Sequence, residues 1–169
     1  MAQQLYLLRH AEAVSWNPLG NDFSRSLSTT GARHALLLSR WASEALPPPD
    51  TILCSPAKRT RETLAPLLSL WPQLLTSTDY VDSMYGASLN LLLTLAEDTF
   101  SYSERLLMVG HNPGMLEILL NVLQATQISR VGNMNTGTLA VIDFPDNFKR
   151  DKQAGHLLKL FGQENLSVN

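Results

Sequence analysis

The sequence of 169 residues has one cysteine, Cys54, and no long apolar run. A single thiol excludes a disulfide framework and any zinc site built from cysteine pairs. The leucine-rich stretches are broken by polar residues and prolines before they reach the ~18 apolar residues that a membrane-spanning helix needs. No basic stretch precedes an apolar run at the N-terminus. We therefore expect a cytoplasmic protein that has no membrane segment.

The chain also has no excess of charge of one sign. It contains 13 Lys and Arg residues and 15 Asp and Glu residues, which gives a net charge of −2. The basic residues are scattered, so no surface for nucleic acid or for an anionic membrane is predicted. Glycine-rich nucleotide loops and the closely spaced His and carboxylate motifs of metal sites are absent from the sequence. We therefore expect no metal and no cofactor, and any anionic ligand must be held by a local cluster of positive groups.

Apolar runs of strand length alternate with amphipathic segments along the chain. The predicted strands cover residues 4–9, 51–54, 105–110, 138–144 and 156–161. The residues expected to cap the intervening helices are Ser28, Ser55, Ser88 and Asn112, and Pro66 is expected to kink or shorten the helix that runs to about Leu70. The alternation predicts one domain over residues 1–169, a three-layer α/β/α sandwich with a mostly parallel central sheet whose last two strands pair as a hairpin.

Ligands of such sheets bind beyond the carboxyl ends of the strands. The first predicted strand ends in Arg9-His10, the second leads to Arg59, and the third ends in Gly110-His111-Asn112. Guanidinium groups fit the oxygens of a phosphoryl group. A neutral imidazole can act as a nucleophile when its other nitrogen has a fixed acceptor, for which a nearby backbone carbonyl would serve. These residues predict a phosphoryl site with covalent catalysis by a histidine.

Four segments resemble, in order and spacing, the motifs of the histidine phosphatase superfamily, the phosphoglycerate mutase-like proteins. They are Leu7-Leu8-Arg9-His10-Ala11-Glu12, Arg25-Ser26-Leu27-Ser28-Thr29-Thr30-Gly31, the stretch from Ser55 to Thr63, and Val109-Gly110-His111-Asn112-Pro113-Gly114. The first is similar to the Arg-His-Ala form found in SixA-type phosphohistidine phosphatases. The others resemble the R-P-L-T-x-x-G, S-P-x-x-R-x-x-x-T and second-histidine motifs.

The resemblance implies that His10 takes the phosphoryl group as a nucleophile, and that Arg9, Arg59 and His111 form the positive pocket around it. Backbone N–H groups near Asn112 are expected to add a further substrate contact.

Arg61 is an alternative to Arg59 as the pocket arginine, although the offset of four from Ser55 favours Arg59. Ser55 is interpreted as a helix cap with a secondary role in the pocket. Trp16 either edges the pocket or covers part of the core, and Thr136 either places a hydroxyl near the phosphate or belongs only to a turn.

Larger members of the superfamily place a glutamate in a segment like E-x-x-Y-G, and the corresponding stretch here, Asp82-Ser83-Met84-Tyr85-Gly86, offers Asp82 as the proton donor. This side chain is one methylene shorter. Because imidazole leaves more readily than an alkoxide, a weakened acid is more tolerable for phosphohistidine than for sugar phosphates.

The leading hypothesis is therefore a metal-independent phosphatase that dephosphorylates phosphohistidine in a partner protein. Two alternatives stay open. One is a phosphomonoesterase or mutase of the same superfamily acting on a small phosphorylated substrate, and the other is a phosphate-binding regulatory module without turnover.

Overall fold

A six-stranded sheet forms the centre of the fold. The computed structural model describes residues 2–16, 18–150 and 152–162. The strands are β1 Gln3–Arg9, β2 Thr51–Cys54, β3 Thr78–Tyr80, β4 Arg105–Gly110, β5 Leu139–Phe144 and β6 His156–Phe161. The helices are α1 Thr29–Ala45, α2 Lys58–Leu70, α3 Leu89–Phe100 and α4 Gly114–Val122. In the part of the chain that is described, no helix is long and apolar enough to cross a membrane.

The strand order is β3-β2-β4-β1-β5-β6. Strands β1 to β4 run parallel, whereas β5 pairs antiparallel with both β1 and β6. The expected hairpin of the last two strands is thus confirmed, and the sheet is mixed. Because β1, β2 and β4 are neighbours, their carboxyl ends bring the first, third and fourth sequence blocks to one edge of the sheet.

The side chains of the central strands alternate between two apolar cores. In β1, Leu5 and Leu7 enter one core, while Tyr6 and Leu8 enter the other. Helices α3 and α4 cover the first core, and α1 and α2 cover the second. The three-layer α/β/α architecture is therefore confirmed.

Two of the predicted helix caps are confirmed. The Ser28 hydroxyl accepts the Gly31 N–H at 3.0 Å, and the Ser88 hydroxyl accepts the Leu91 N–H at 3.4 Å. Helix α2 reaches Leu70 with Pro66 inside it, so this proline does not end the helix.

The caps predicted at Ser55 and Asn112 are wrong. Helix α2 begins only at Lys58 and α4 at Gly114, and no described residue at either N-cap position makes a side-chain capping bond. The Ser55 hydroxyl instead lies 2.8 Å from a ring nitrogen of His111. The Asn112 amide donates to backbone carbonyls of the loop before β5. Each of these side chains therefore bonds to a partner that is distant in sequence, and not to the backbone of the helix that follows it.

Candidate active site

His10 directly follows β1 and is buried, with 8% of its surface exposed. Its backbone N–H donates to the Gly110 carbonyl at 3.1 Å, and its carbonyl accepts the Gly137 N–H at 2.9 Å. The next N–H, that of Ala11, donates to the Thr63 hydroxyl at 2.9 Å. The backbone that carries His10 is therefore fixed by β4, α2 and the loop before β5.

One nitrogen of the His10 ring is held by the backbone. Nδ1 lies 2.7 Å from the Ala11 carbonyl oxygen. A carbonyl can only accept, so Nδ1 carries the proton and the lone pair of the neutral ring is on Nε2. Burial, together with the nearby charges of Arg59 and Arg9 and against the effect of the Ala11 hydrogen bond, lowers the pKa of His10 to about 4. At neutral pH this ring is uncharged and has a free nucleophilic nitrogen.

The second histidine lies beside the first, with the ring centroids of His10 and His111 separated by 5.2 Å. Burial, with the charge of Arg59, lowers the pKa of His111 to about 3. Its Nε2 faces the Ser55 hydroxyl, while the Tyr85 ring packs nearly perpendicular to it with centroids 5.5 Å apart. This ring is also neutral at pH 7, so the positive charge of the site comes from arginines.

Arg9 is oriented by the loop before β5. Its Nη1 donates to the Met134 carbonyl at 3.0 Å, and the Asn112 amide donates to the same oxygen at 3.2 Å. Met134 has a φ of 47°, a left-handed conformation uncommon for this residue type. The unusual backbone turns one carbonyl toward two side chains of the site.

Arg59, which is 5% exposed, is held by Asp22 from the 3-10 turn Asp22–Ser24. Its Nη1 donates to the Asp22 carbonyl at 2.7 Å and its Nη2 lies 3.0 Å from the carboxylate. The same carboxylate accepts from the Tyr85 hydroxyl at 2.6 Å and from Arg25 Nε at 2.8 Å. The Tyr85 hydrogen bond, assisted by the arginine charges, lowers the pKa of Asp22 to about 2.

Asp22, Arg25 and Tyr85 were not predicted as site residues. Two local signals pointed to them: Arg25 opens the second sequence block three residues after Asp22, and Tyr85 lies in the segment that was searched for a proton donor.

Four buried polar atoms of this cluster have no hydrogen-bond partner among the described residues: Arg9 Nε, Arg59 Nε, His111 Nδ1 and Asn112 Oδ1. Buried polar groups are nearly always satisfied, so such a concentration in one place requires an explanation. Three of these atoms are nitrogens that can donate, and an oxyanion supplies several acceptors. No three His, Cys, Asp or Glu side chains of the described residues gather in a way that could hold a metal ion.

Between the two candidate pocket arginines, the geometry favours Arg59. The Arg61 guanidinium lies over the Tyr80 ring, 5.0 Å from its centroid, on the outer side of α2. Asp82 begins a 3-10 turn, and its carboxylate makes no hydrogen bond or ion pair with another described residue. From the segment that contains Asp82, it is Tyr85 that contacts the site.

Trp16 and Thr136 lie in the two loops that border His10. Trp16 is 61% exposed and lines a surface cleft of about 210 Å³ together with Arg25. Thr136 is half-buried in the turn whose Gly137 binds the His10 carbonyl, and its hydroxyl has no partner among the described residues. Neither residue has a contact with another described residue that assigns it a role in the pocket.

Comparisons with known proteins show which proteins this chain is similar to. The sequence profile of the histidine phosphatase superfamily, branch 1, matches residues 5–80. An uncharacterized protein of Mycobacterium tuberculosis is 31% identical over 121 residues, which cover 70% of this chain and 73% of that protein. The crystal structure of a candidate phosphohistidine phosphatase SixA from Agrobacterium tumefaciens is 27% identical, with a TM-score of 0.84 over 95% of this chain and 97% of the other. A SixA candidate from Nakamurella multipartitia is 26% identical, with a TM-score of 0.76 over 96% of each chain.

Proposed function

This chain belongs to the histidine phosphatase superfamily, and on that premise we propose that it is a metal-independent phosphatase that removes the phosphoryl group from phosphohistidine in a partner protein. The observation that carries the proposal is the protonation state of the His10 ring. Its Nδ1 is bound to the Ala11 carbonyl, and its depressed pKa of about 4 keeps Nε2 unprotonated at neutral pH. A nitrogen nucleophile is thus ready without a separate base.

In the first step, His10 Nε2 attacks phosphorus as the bond from phosphorus to the substrate imidazole breaks. The electron pair of that bond goes to the leaving nitrogen, which takes up a proton from water or from Asp82. In the second step, water attacks the phosphorylated His10, releasing inorganic phosphate and restoring the Nε2 lone pair. Arg9 and Arg59 offer their free nitrogens to the phosphoryl oxygens in both steps, where the charge of the transition state is spread.

The proposed substrate class follows from the lack of a strong proton donor in the site. The carboxylate of Asp82 has no partner among the described residues that would orient it, and that of Asp22 is ionised and paired with two arginines. Neither arrangement suits a strong proton donor for an alkoxide, whereas the imidazole of phosphohistidine leaves more readily. The similarity to SixA candidates more than 25% identical supports the same substrate class.

The test is phosphate release from a phosphohistidine peptide and from p-nitrophenyl phosphate in excess EDTA. His10→Ala should reduce both rates to background. His34→Ala, in a half-buried histidine of α1, is the matched control and should be as active as wild type. Rapid quenching with labelled substrate should trap an acid-labile phosphoryl group on His10. Activity in His10→Ala, or tight tungstate binding by a wild-type protein that turns over no substrate, would contradict the proposal.

The role of Asp82 is tested separately with Asp82→Asn. If Asp82 donates the proton, hydrolysis of an alkyl phosphate should fall by about a hundredfold, while hydrolysis of phosphohistidine changes much less. Equal rates of the variant and wild type on an alkyl phosphate would exclude Asp82 as the donor.

A further inference from the structure

An open groove of about 530 Å³ lies beside the candidate site, between the 3-10 turn Asp22–Ser24 and α2. Phe23 and Tyr80 contribute aromatic surface to its walls, and both rings are substantially exposed, at 38% and 44%. Pro56 and Ala65 add further apolar surface. An exposed concentration of aromatic and apolar side chains of this kind is typical of a binding surface.

The groove lies next to the phosphoryl pocket, and a chain of ring contacts links the residues of the two. The Phe23 ring packs edge-on against Tyr85, with centroids 5.1 Å apart, and Tyr85 in turn packs against His111. Phe23 also directly follows Asp22, the residue that holds Arg59. The wall of the groove is therefore joined by ring contacts to the residues around the phosphoryl site.

The charge of the groove is positive. Arg61 is exposed, lies over the Tyr80 ring and makes no ion pair with another described residue. Lys58 is 3.9 Å from Glu62, and the other carboxylate oxygen of Glu62 accepts the Leu27 N–H at 2.7 Å. The Glu62 carboxylate is thus already engaged, and within the described residues the Arg61 guanidinium beside the aromatic walls has no acidic partner.

The dimensions favour a polypeptide over a small phosphomonoester. Sites for small molecules enclose most of the ligand surface, whereas this groove is open along its length. A phosphohistidine in a chain would fill the pocket with its phosphoryl group and place its neighbouring residues against Phe23, Tyr80 and Arg61. We propose that the groove binds the polypeptide that flanks the phosphohistidine, and that it selects segments with acidic and apolar residues. This inference rests on the proposed function.

Three probes test it: free phosphohistidine and two short peptides of equal length, each phosphorylated on one central histidine with phosphoramidate. One peptide has Asp and Leu around that histidine, and the other has Lys and Ser. The wild type should show a kcat/KM about fivefold higher for the acidic peptide than for the basic one, with most of the difference in KM. Free phosphohistidine should be the poorest substrate of the three.

Arg61→Glu should reverse the peptide preference, lowering kcat/KM for the acidic peptide by about tenfold and raising it for the basic one. Tyr80→Ala should weaken both peptides relative to free phosphohistidine. Arg40→Glu, which reverses an exposed charge on α1, is the matched control and should leave the preference unchanged.

The two proposals fail in different ways. If the wild type hydrolyses none of the three probes and no p-nitrophenyl phosphate, the proposed function is wrong. If it hydrolyses all three probes but treats the two peptides alike, or if Arg61→Glu changes every rate by the same factor, the groove does not select the substrate.

Discussion

The depressed pKa values of the two site histidines predict an unusual loss of stability on mild acidification. In the folded protein the pKa is about 4 for His10 and about 3 for His111, both well below the ordinary 6.5. Between these values and 6.5, the unfolded chain binds protons that the folded chain does not. Stability therefore rises with pH across this window and falls as the pH drops below about 6.5.

The size of this loss of stability is set mainly by the ordinary pKa that the two histidines have in the unfolded chain. From about pH 7.5 to about pH 5, His10 should remove about 2 kcal/mol from the free energy of unfolding. His111 is less buried than His10, so solvent screening reduces its share to about 1–2 kcal/mol. Both rings remain neutral in the folded state at the lower pH, so the total of about 3–4 kcal/mol does not depend on the exact folded values.

Two variants isolate these contributions. His10→Asn replaces the ring with an amide that can still donate to the Ala11 carbonyl, and His111→Gln places an amide where Nε2 meets Ser55. Neither new side chain titrates. Denaturant unfolding at both pH values should show that each variant loses less stability on acidification than wild type, by about 2 kcal/mol for His10→Asn. An equal loss in His10→Asn and wild type, or a His10 ring that titrates near 6.5 by NMR, would refute the reasoning.

Three further substitutions probe the framework of the site. Gly31→Ala would place a Cβ 1.9 Å from the Glu12 carbonyl oxygen, so denaturant unfolding should show a loss of about 2 kcal/mol or more; a stability equal to wild type would contradict the packing. Ser55→Ala removes the hydroxyl that meets His111 Nε2 and should cost about 1 kcal/mol of stability, together with part of kcat; an unchanged kcat would show that this bond does not position the ring. Asp22→Asn removes the carboxylate from the pocket arginine and should lower kcat/KM on p-nitrophenyl phosphate by about tenfold, and a variant as active as wild type would show that the arginine needs no such support.

Local sequence pattern was enough for every described strand except β3. The bounds of β2, β4 and β6 match the predicted ranges, because each is a short run of mainly apolar residues flanked by polar ones. Strand β3 was missed, since Thr78-Asp79-Tyr80 is a short, largely exposed edge strand without apolar alternation.

Contacts between distant residues could not be predicted in this way. Asp22 bonds to Arg59, which is 37 residues away in sequence, and to Tyr85, which is 63 residues away. The Ser55 hydroxyl could cap the helix that follows it or bond to a histidine 56 residues away. The residues around Ser55 are the same in both cases, so they do not distinguish the two. The choice depends on where the chain places His111, which is a property of the whole sheet.

The sequence blocks also contain residues that fix the backbone of the site by hydrogen bonds and take no part in the proposed reaction steps. The Thr63 hydroxyl accepts the Ala11 N–H and donates to the Arg59 carbonyl at 2.7 Å. A single side chain thus joins the backbone beside the nucleophile to the backbone of the pocket arginine. The spacing of four between arginine and threonine in the third block is the spacing that a helix requires for this bond. The motif therefore encodes the position of Arg59 relative to His10 as well as the presence of a charge.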